Sequence, residues 1–332
     1  MRFSLTASLI IILCLWALPV YGQWPEHGMV ILTSVSENID WAEKRAEPQF
    51  KVLEALVPRL SRELGVPVSL HARPDGQGIL AANIIAGARP DAYLMGALEP
   101  DPALTLTIQG YTPYIWGEFV PVASGWRQVY ALIVRADYPA ADLRDLAAKS
   151  GTMQPRLAHT GRKPADTALL LGLETAKAAG FSWQLQQVAR MDPGLLLEGK
   201  ADVMIMPLGY LKIHPDKERL KVLTILDNGN TLNCMEGVPN LKSQNLELIP
   251  PPVFAFYLPD KVNWKVRSRL STAINSALRN KAVGELLKEA CLIGYFEDLE
   301  GVGPVMNKQY EEQEALLRKN RMSTGLIESE QK

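Results

Sequence analysis

The sequence is poor in cysteine and histidine. Of its three cysteines, Cys14 falls in an N-terminal apolar stretch, which leaves Cys234 and Cys291 for the folded chain. The four histidines, His27, His71, His159 and His214, are scattered. No Cys/His cluster has metal-ligand spacing, so no metal site and no cofactor are expected. Excess charge is missing too. The formal net charge is −1, which gives no basic surface for nucleic acid or an anionic membrane. Beyond residue 22 no apolar run reaches about 18 residues, the length a membrane span needs, so that part of the chain is expected to be soluble. There is no G-x-S-x-G, no Walker loop and no paired carboxylates in a clear setting, and an enzyme is not expected.

What is present begins with a leader. Arg2 supplies the positive start, Leu5–Leu18 is apolar, and Val20-Tyr21-Gly22 places small or apolar residues before a cleavage. Residues 1–22 read as a secretory signal peptide, which places the protein in the periplasm. Leu13 before Cys14 argues against a lipoprotein, where a small residue is wanted. Export makes a disulfide between Cys234 and Cys291 possible, but 57 positions of spacing cannot show that they meet, and two buried thiols fit as well.

The chain then alternates strands and helices. Met29–Val35 reads as a strand, and the apolar positions Phe50, Val52, Leu53, Leu56, Leu60 and Leu64 read as a helix closed by Gly65. Val66–Leu70 is strand-like, Arg73–Gly78 a turn, Ile79–Ala88 a small-residue helix, and Ala92–Ala97 a strand. That is β-α-β-α-β, half of a doubly wound sheet. A second α/β group follows, and the terminal helices, having no sheet of their own, are expected to pack on the first. The resulting α/β architecture has two lobes, 23–125 with 250–320 and 126–249, followed by a polar tail at 321–332. Two crossovers between lobes leave a hinge and an interlobe cleft for a small molecule.

Within this frame, Arg73-Pro74-Asp75-Gly76-Gln77-Gly78 followed by Arg89-Pro90-Asp91-Ala92-Tyr93 resembles the substrate-binding proteins of tripartite tricarboxylate transporters. Four further segments fit in the same order: Glu118–Val122, Leu143–Leu146, Leu195–Asp202 and Arg219–Leu223. The resemblance spans nearly the whole chain past the leader. It implies a two-lobed periplasmic binding protein fold (type II-like) with two crossover strands. It also implies a monomer that captures a carboxylate-bearing small molecule and hands it to membrane permease subunits. The departures are local. Where the family has glycines before the first helix, this chain has Glu47-Pro48-Gln49; glutamate repels a carboxylate and proline has no N–H. With Glu37, Asp40 and Glu43, Glu47 makes the first loop acidic, which suits a ligand with a positive group. In the second lobe the family's serine and histidine give way to Arg162 and Lys163 after Gly161.

The expected ligand contacts are therefore Gln77 and Gly78 as amides at a helix start, and Ser34, Ser36, Asn38 and Gln49 from the first loop. Thr160, Arg162 and Lys163 join them from the second lobe, arginine being suited to a two-pronged carboxylate contact. Tyr93, Trp116 and Trp126 are candidate cleft aromatics or core residues. The altered first loop also motivates another reading, a sensing or interaction protein that kept the fold but left transport.

Overall fold

Three parallel strands and the helices between them carry the first half of the molecule. In the computed structural model, which describes residues 24–39, 45–161, 164–229 and 234–322, β1 (Met29–Thr33) lies between β4 (Val68–Ala72) and β5 (Leu94–Leu98), parallel to both. The short pair β2 (Asn38–Ile39) and β3 (Arg45–Ala46) leads into α1 (Pro48–Leu64). That helix buries Phe50, Val52, Leu53, Leu56, Leu60 and Leu64, the positions whose spacing predicts it. Gly65 ends it in the left-handed conformation, with φ 76°. The following helix, α2 (Ile79–Ala86), is two residues shorter than its sequence pattern because Gly87 closes it. The leader, the tail from residue 323, Asp40, Glu43, Arg162 and Lys163 lie outside the described residues.

The sheet is completed by strands from far along the chain. β6 (Phe119–Gln128) and β12 (Val253–Pro259) run antiparallel, and β13 (Leu292–Gly294) forms the edge, giving the order β13-β6-β12-β5-β1-β4. The pattern predicts a strand only to Ala123; the strand continues to Gln128, through the buried Trp126 stacked on Phe254. The edge strand β13 carries no alternation long enough to be read from sequence.

A second sheet begins where the first ends. β7 (Tyr130–Arg135) follows β6 after Val129 alone and pairs antiparallel with β10 (Met204–Pro207) and β11 (Leu220–Ile225). The parallel pair β8 (Arg156–His159) and β9 (Gln184–Gln187) joins through a bridge from Leu157 to Val203. Helices α3 (Leu143–Met153) and α4 (Thr167–Ala179) pack on this lobe, each N-capped by an aspartate, Asp142 and Asp166. The two lobes are thus connected directly from β6 to β7 and again through the segment before β12.

Of the terminal helices, α5 (Trp264–Leu278) and α6 (Lys281–Glu289) contribute to the first-lobe core with α1. The last, α7 (Leu299–Lys319), begins earlier than its apolar spacing predicts, because Asp298 caps the amides of Glu300 and Gly301 ahead of Pro304. It does not stay on the first lobe. Val302 and Met306 pack in a first-lobe cluster, whereas Leu317 lies in the second-lobe core. Beyond it Lys319 and Asn320 bond Glu174 of α4. Cys234 and Cys291 sit in one apolar cluster as free thiols, and the Cys234 Sγ donates to Lys288 O at 3.9 Å. The possibility left open by their spacing is resolved as contact without a bond.

Candidate functional site

A cleft of about 310 Å³ opens between the lobes. Its first-lobe wall stands at the C-terminal ends of β1 and β5, where parallel sheets place ligands. Ser34 follows β1, and Glu99, Pro100 and Asp101 follow β5. The two strand ends are tied together by the Glu99 N–H, which donates to Ser34 Oγ at 2.8 Å. Pro74 and Gln77 come from the turn before α2. Gln128 and Tyr130 come from the crossover, where period-two alternation puts both on one side while Val129 between them is buried. The second-lobe wall is Thr160 after β8, Asp166 and Thr167 at the start of α4, and Tyr210 after β10.

Carboxylates from both walls set the charge of the cleft. Glu99, Asp101 and Asp166 line it, and its described residues include no lysine or arginine. Glu99 Oε1 accepts from Gln49 Nε2 at 3.0 Å and from Gln128 Nε2 at 3.3 Å. Asp101 reaches across the cleft and accepts from Thr167 Oγ1 at 2.6 Å and from its N–H at 3.1 Å. Asp166 accepts from the Leu169 N–H at 2.8 Å and from Thr160 Oγ1 at 3.4 Å. Burial first, with the charge of Asp101, pushes the Glu99 carboxyl up to about 7 against the lowering effect of the hydrogen bonds from Gln49 and Gln128. Burial and the neighbouring Asp166 raise Asp101, and burial raises Asp166. Tyr130 is held protonated well above its usual range by burial and the same acids.

Behind this wall lies Glu47, the buried cap of α1. Its Oε2 accepts from the Phe50 N–H at 2.7 Å, and its carboxyl also bonds the Tyr210 hydroxyl from the second lobe. Burial first, then the charge of Glu99, moves Glu47 to about 8. The place where the family pattern keeps bare glycine amides is therefore filled by this chain's own carboxyl.

The expected contacts separate accordingly. Ser34, Ser36, Gln77 and Thr160 line the cleft. Three expectations need correction. The Gly78 amide is not bare: it donates to Pro74 O at 2.9 Å, because the turn folds back on itself. Gly78 instead serves by having no side chain, since a Cβ there would stand 2.5 Å from Ser34 Cβ and 2.9 Å from Pro102 Cγ. Gln49 is buried behind the wall, its Oε1 accepting from Trp126 Nε1 at 2.8 Å and its amide donating to Glu99. Asn38 is exposed and paired into the β2–β3 ladder, away from the lining. Arg162 and Lys163 lie outside the described residues. None of the aromatic candidates lines the cleft: Tyr93 stacks on His27, Trp116 lies against Tyr310, and Trp126 is core. Sequence reasoning missed Glu99, Asp101, Gln128, Tyr130, Asp166, Thr167 and Tyr210 among the lining side chains. The strand-end position of Glu99-Pro100-Asp101 is the one signal that pointed to any of them.

Comparison with known proteins agrees with the architecture. A curated relative, a UPF0065 protein of Bordetella bronchiseptica, is 25% identical over 249 residues, covering 69% of this chain and 68% of that protein. The structure of Rpa4515 from R. palustris with adipate superimposes with a TM-score of 0.72 at 16% identity, covering 90% of this chain and 99% of that one. MatC from Rhodopseudomonas palustris with bound malate gives 0.68 at 15% identity, with 89% and 100% covered. These two show the two-lobed binding-protein fold. The model of the tripartite tricarboxylate transporter family receptor matches residues 52–321. This span takes in β4 to α7 and both lobes, so the chain belongs to that family of solute-binding receptors and is a binding protein rather than an enzyme.

Proposed function

We propose that the protein is a periplasmic receptor that captures a small organic, carboxylate-bearing ligand in the interlobe cleft and passes it to the permease subunits of a tripartite tricarboxylate-type transporter. The observation that carries this reading is the cleft itself. It is of small-molecule size, stands at the C-terminal ends of β1 and β5, and receives side chains from both lobes. Two structural neighbours hold dicarboxylates, adipate and malate. A ligand touching both walls stabilises the closed arrangement by contacts that the open one lacks. In this reading Gln77, Ser34, Ser36 and Thr160 contact the ligand. Arg162 and Lys163, next along the chain from Thr160, hold its carboxylate. The N-terminal 22 residues direct export and are removed.

The test is a thermal-shift screen of carboxylic acids, amino acids, amines and aromatic acids on the chain from residue 23. A ligand is expected to raise the midpoint by several degrees, in proportion to its excess over Kd. A folded protein that no compound stabilises would remove the reading.

A further inference from the structure

We infer that Cys234 and Cys291 form an oxidative modification site, at which a disulfide oxidant converts the two thiols to a bond that ties the second lobe to the edge of the first. The site lies outside the ligand cleft and rests on the receptor reading only for export, which brings the chain to such an oxidant.

Cys291 belongs to one lobe and packs in the other. It lies between α6 and β13, both of the first lobe. Its neighbours Ala290 and Leu292 are part of the first-lobe core, whereas Cys291 is buried in the cluster built on β7, β10 and β11 of the second. Cys234 joins the same cluster from the loop after β11. The two residues meet at the last turn of α6, where Lys288 O accepts from the Cys291 N–H at 3.1 Å and from Cys234 Sγ at 3.9 Å. The lobes press together at this point. A Cβ on Gly209 would run into Ala290 O, and Lys212 Nζ donates to Glu289 O at 3.2 Å.

The backbone singles out the same residue. Cys291 is left-handed, with φ 54°, directly after Ala290 caps α6. Glycine is the unstrained choice at that position, and the chain carries a thiol there instead. The pair is also unequal in the way that thiol exchange uses. Cys234 is half-buried and Cys291 buried. The neighbouring Cys291 thiol and the charge of Lys212 hold Cys234 below the usual thiol range, while Cys234 and burial push Cys291 well up. Cys234 is therefore the attacking thiol. Its thiolate attacks one sulfur of the oxidant's disulfide and expels the other as a thiolate, which takes up a proton. The Cys291 thiol then loses its proton, attacks Cys234 Sγ and expels the remaining sulfur. The pair gives up two protons and two electrons, and the oxidant leaves as two thiols.

The bond acts at the joint. Leu292, next to Cys291, pairs with Gln128, the crossover residue that lines the cleft. Joining Cys291 to the loop after β11 fixes the edge strand and the crossover to the second lobe. It also constrains the unfolded chain across 57 positions.

The experiment uses the chain from residue 23, purified reduced, with oxidised glutathione as the probe. Free thiols are counted by alkylation after unfolding, and intact mass with a non-reducing peptide map identifies the product. The wild type is expected to lose both thiols together, to become lighter by two hydrogens and to yield one peptide linking Cys234 to Cys291. Its unfolding midpoint is expected to rise by several degrees on oxidation and to return on reduction. Hydrogen exchange is expected to slow at β13 and at residues 234–240. Cys291→Ala is expected to stop at a glutathione adduct on Cys234, and Cys234→Ala to leave Cys291 unmodified in the folded protein. A folded wild type that keeps both thiols free, or that stops at a glutathione adduct or at a dimer linked through Cys234, would overturn the inference. So would a bond between the two that leaves midpoint and exchange unchanged. If a variant fails to fold, the wild-type peptide map decides alone. Each of these outcomes leaves the receptor reading standing, because that reading rests on the cleft.

Discussion

Two helix starts in the same lobe are built in opposite ways. α2 is reached through three successive left-handed residues, Gly76, Gln77 and Gly78, with φ of 62°, 59° and 82°. Backbone carbonyls bond its first amides, and no side chain caps it. α1 is reached through an extended Glu47 and a proline, and a buried carboxyl closes it. The first start depends on the absence of side chains, the second on the presence of one. Where the resemblance implies bare glycine amides before the first helix, α1 has a buried acid that bonds its own Phe50 amide.

The comparison breaks most visibly at Gly78. Gly78→Ala drives a Cβ into Ser34 and Pro102 at a positive φ. Overpacking and the left-handed penalty together predict a loss of about 3 kcal/mol, read by urea unfolding. Gly76→Ala has its nearest foreign atom at 3.8 Å and should lose only about 1 kcal/mol from backbone strain alone. Equal losses at the two positions would show that packing against Ser34 is unimportant.

Next in size is the contact that fixes the two walls against each other. Gln109 donates to Ala165 O at 2.7 Å and accepts from Ala165 N–H at 2.8 Å, both buried. Gln109→Ala strands both backbone groups and should cost about 2 kcal/mol. It should also widen the ligand-free molecule, seen by small-angle scattering. Unchanged stability and dimensions would mean that the lobes do not depend on this bond.

The acid cap gives a smaller, pH-dependent effect. Glu47 and Glu99 titrate in the folded state near 8 and 7, above their ordinary value of 4.5. Between these limits the folded chain holds protons that the unfolded chain has released. The stability they confer is full below about pH 4.5 and is lost as pH rises through 7 to 8. The midpoint of the ligand-free protein should therefore fall from pH 5 to pH 8, each group contributing at most about 1.4 kcal/mol per pH unit. Glu47→Gln should make the fall shallower; a parallel curve would assign the slope elsewhere. The smallest expected effect on stability is Gln77→Gly, which relieves a left-handed non-glycine residue and should change it by less than about 1 kcal/mol. It should nevertheless weaken the ligand found by screening if the glutamine side chain is a contact.

These experiments also mark what could be read from sequence. The β4–α2–β5 unit was legible because Gly76, Gly78 and Pro90 are local signals with local causes. The glutamate in place of glycine before α1 was legible as a loss of amides. Its capping of Phe50 was not, because a cap depends on where the helix axis starts. Gln49 illustrates the limit most clearly. Its loop position favoured a ligand contact, yet Trp126, 77 residues away, claims its carbonyl. Tyr210 and Asp166 entered the site only through tertiary approach of the second lobe, which leaves no local pattern. The edge strand β13 was missed because three residues cannot show a period.

The terminal helix α7 has a mechanical consequence. A helix of 21 residues is about 31 Å long and stiff. Anchored at one end beneath β6 and at the other on Glu174, it behaves as a strut laid across the joint. Lobes tied by a strut cannot swing apart equally on every side. They must rotate about an axis near it, or first release Lys319 and Asn320 from Glu174. The motion that the connection leaves open is thus a rotation about α7, not a symmetric parting of the two lobes.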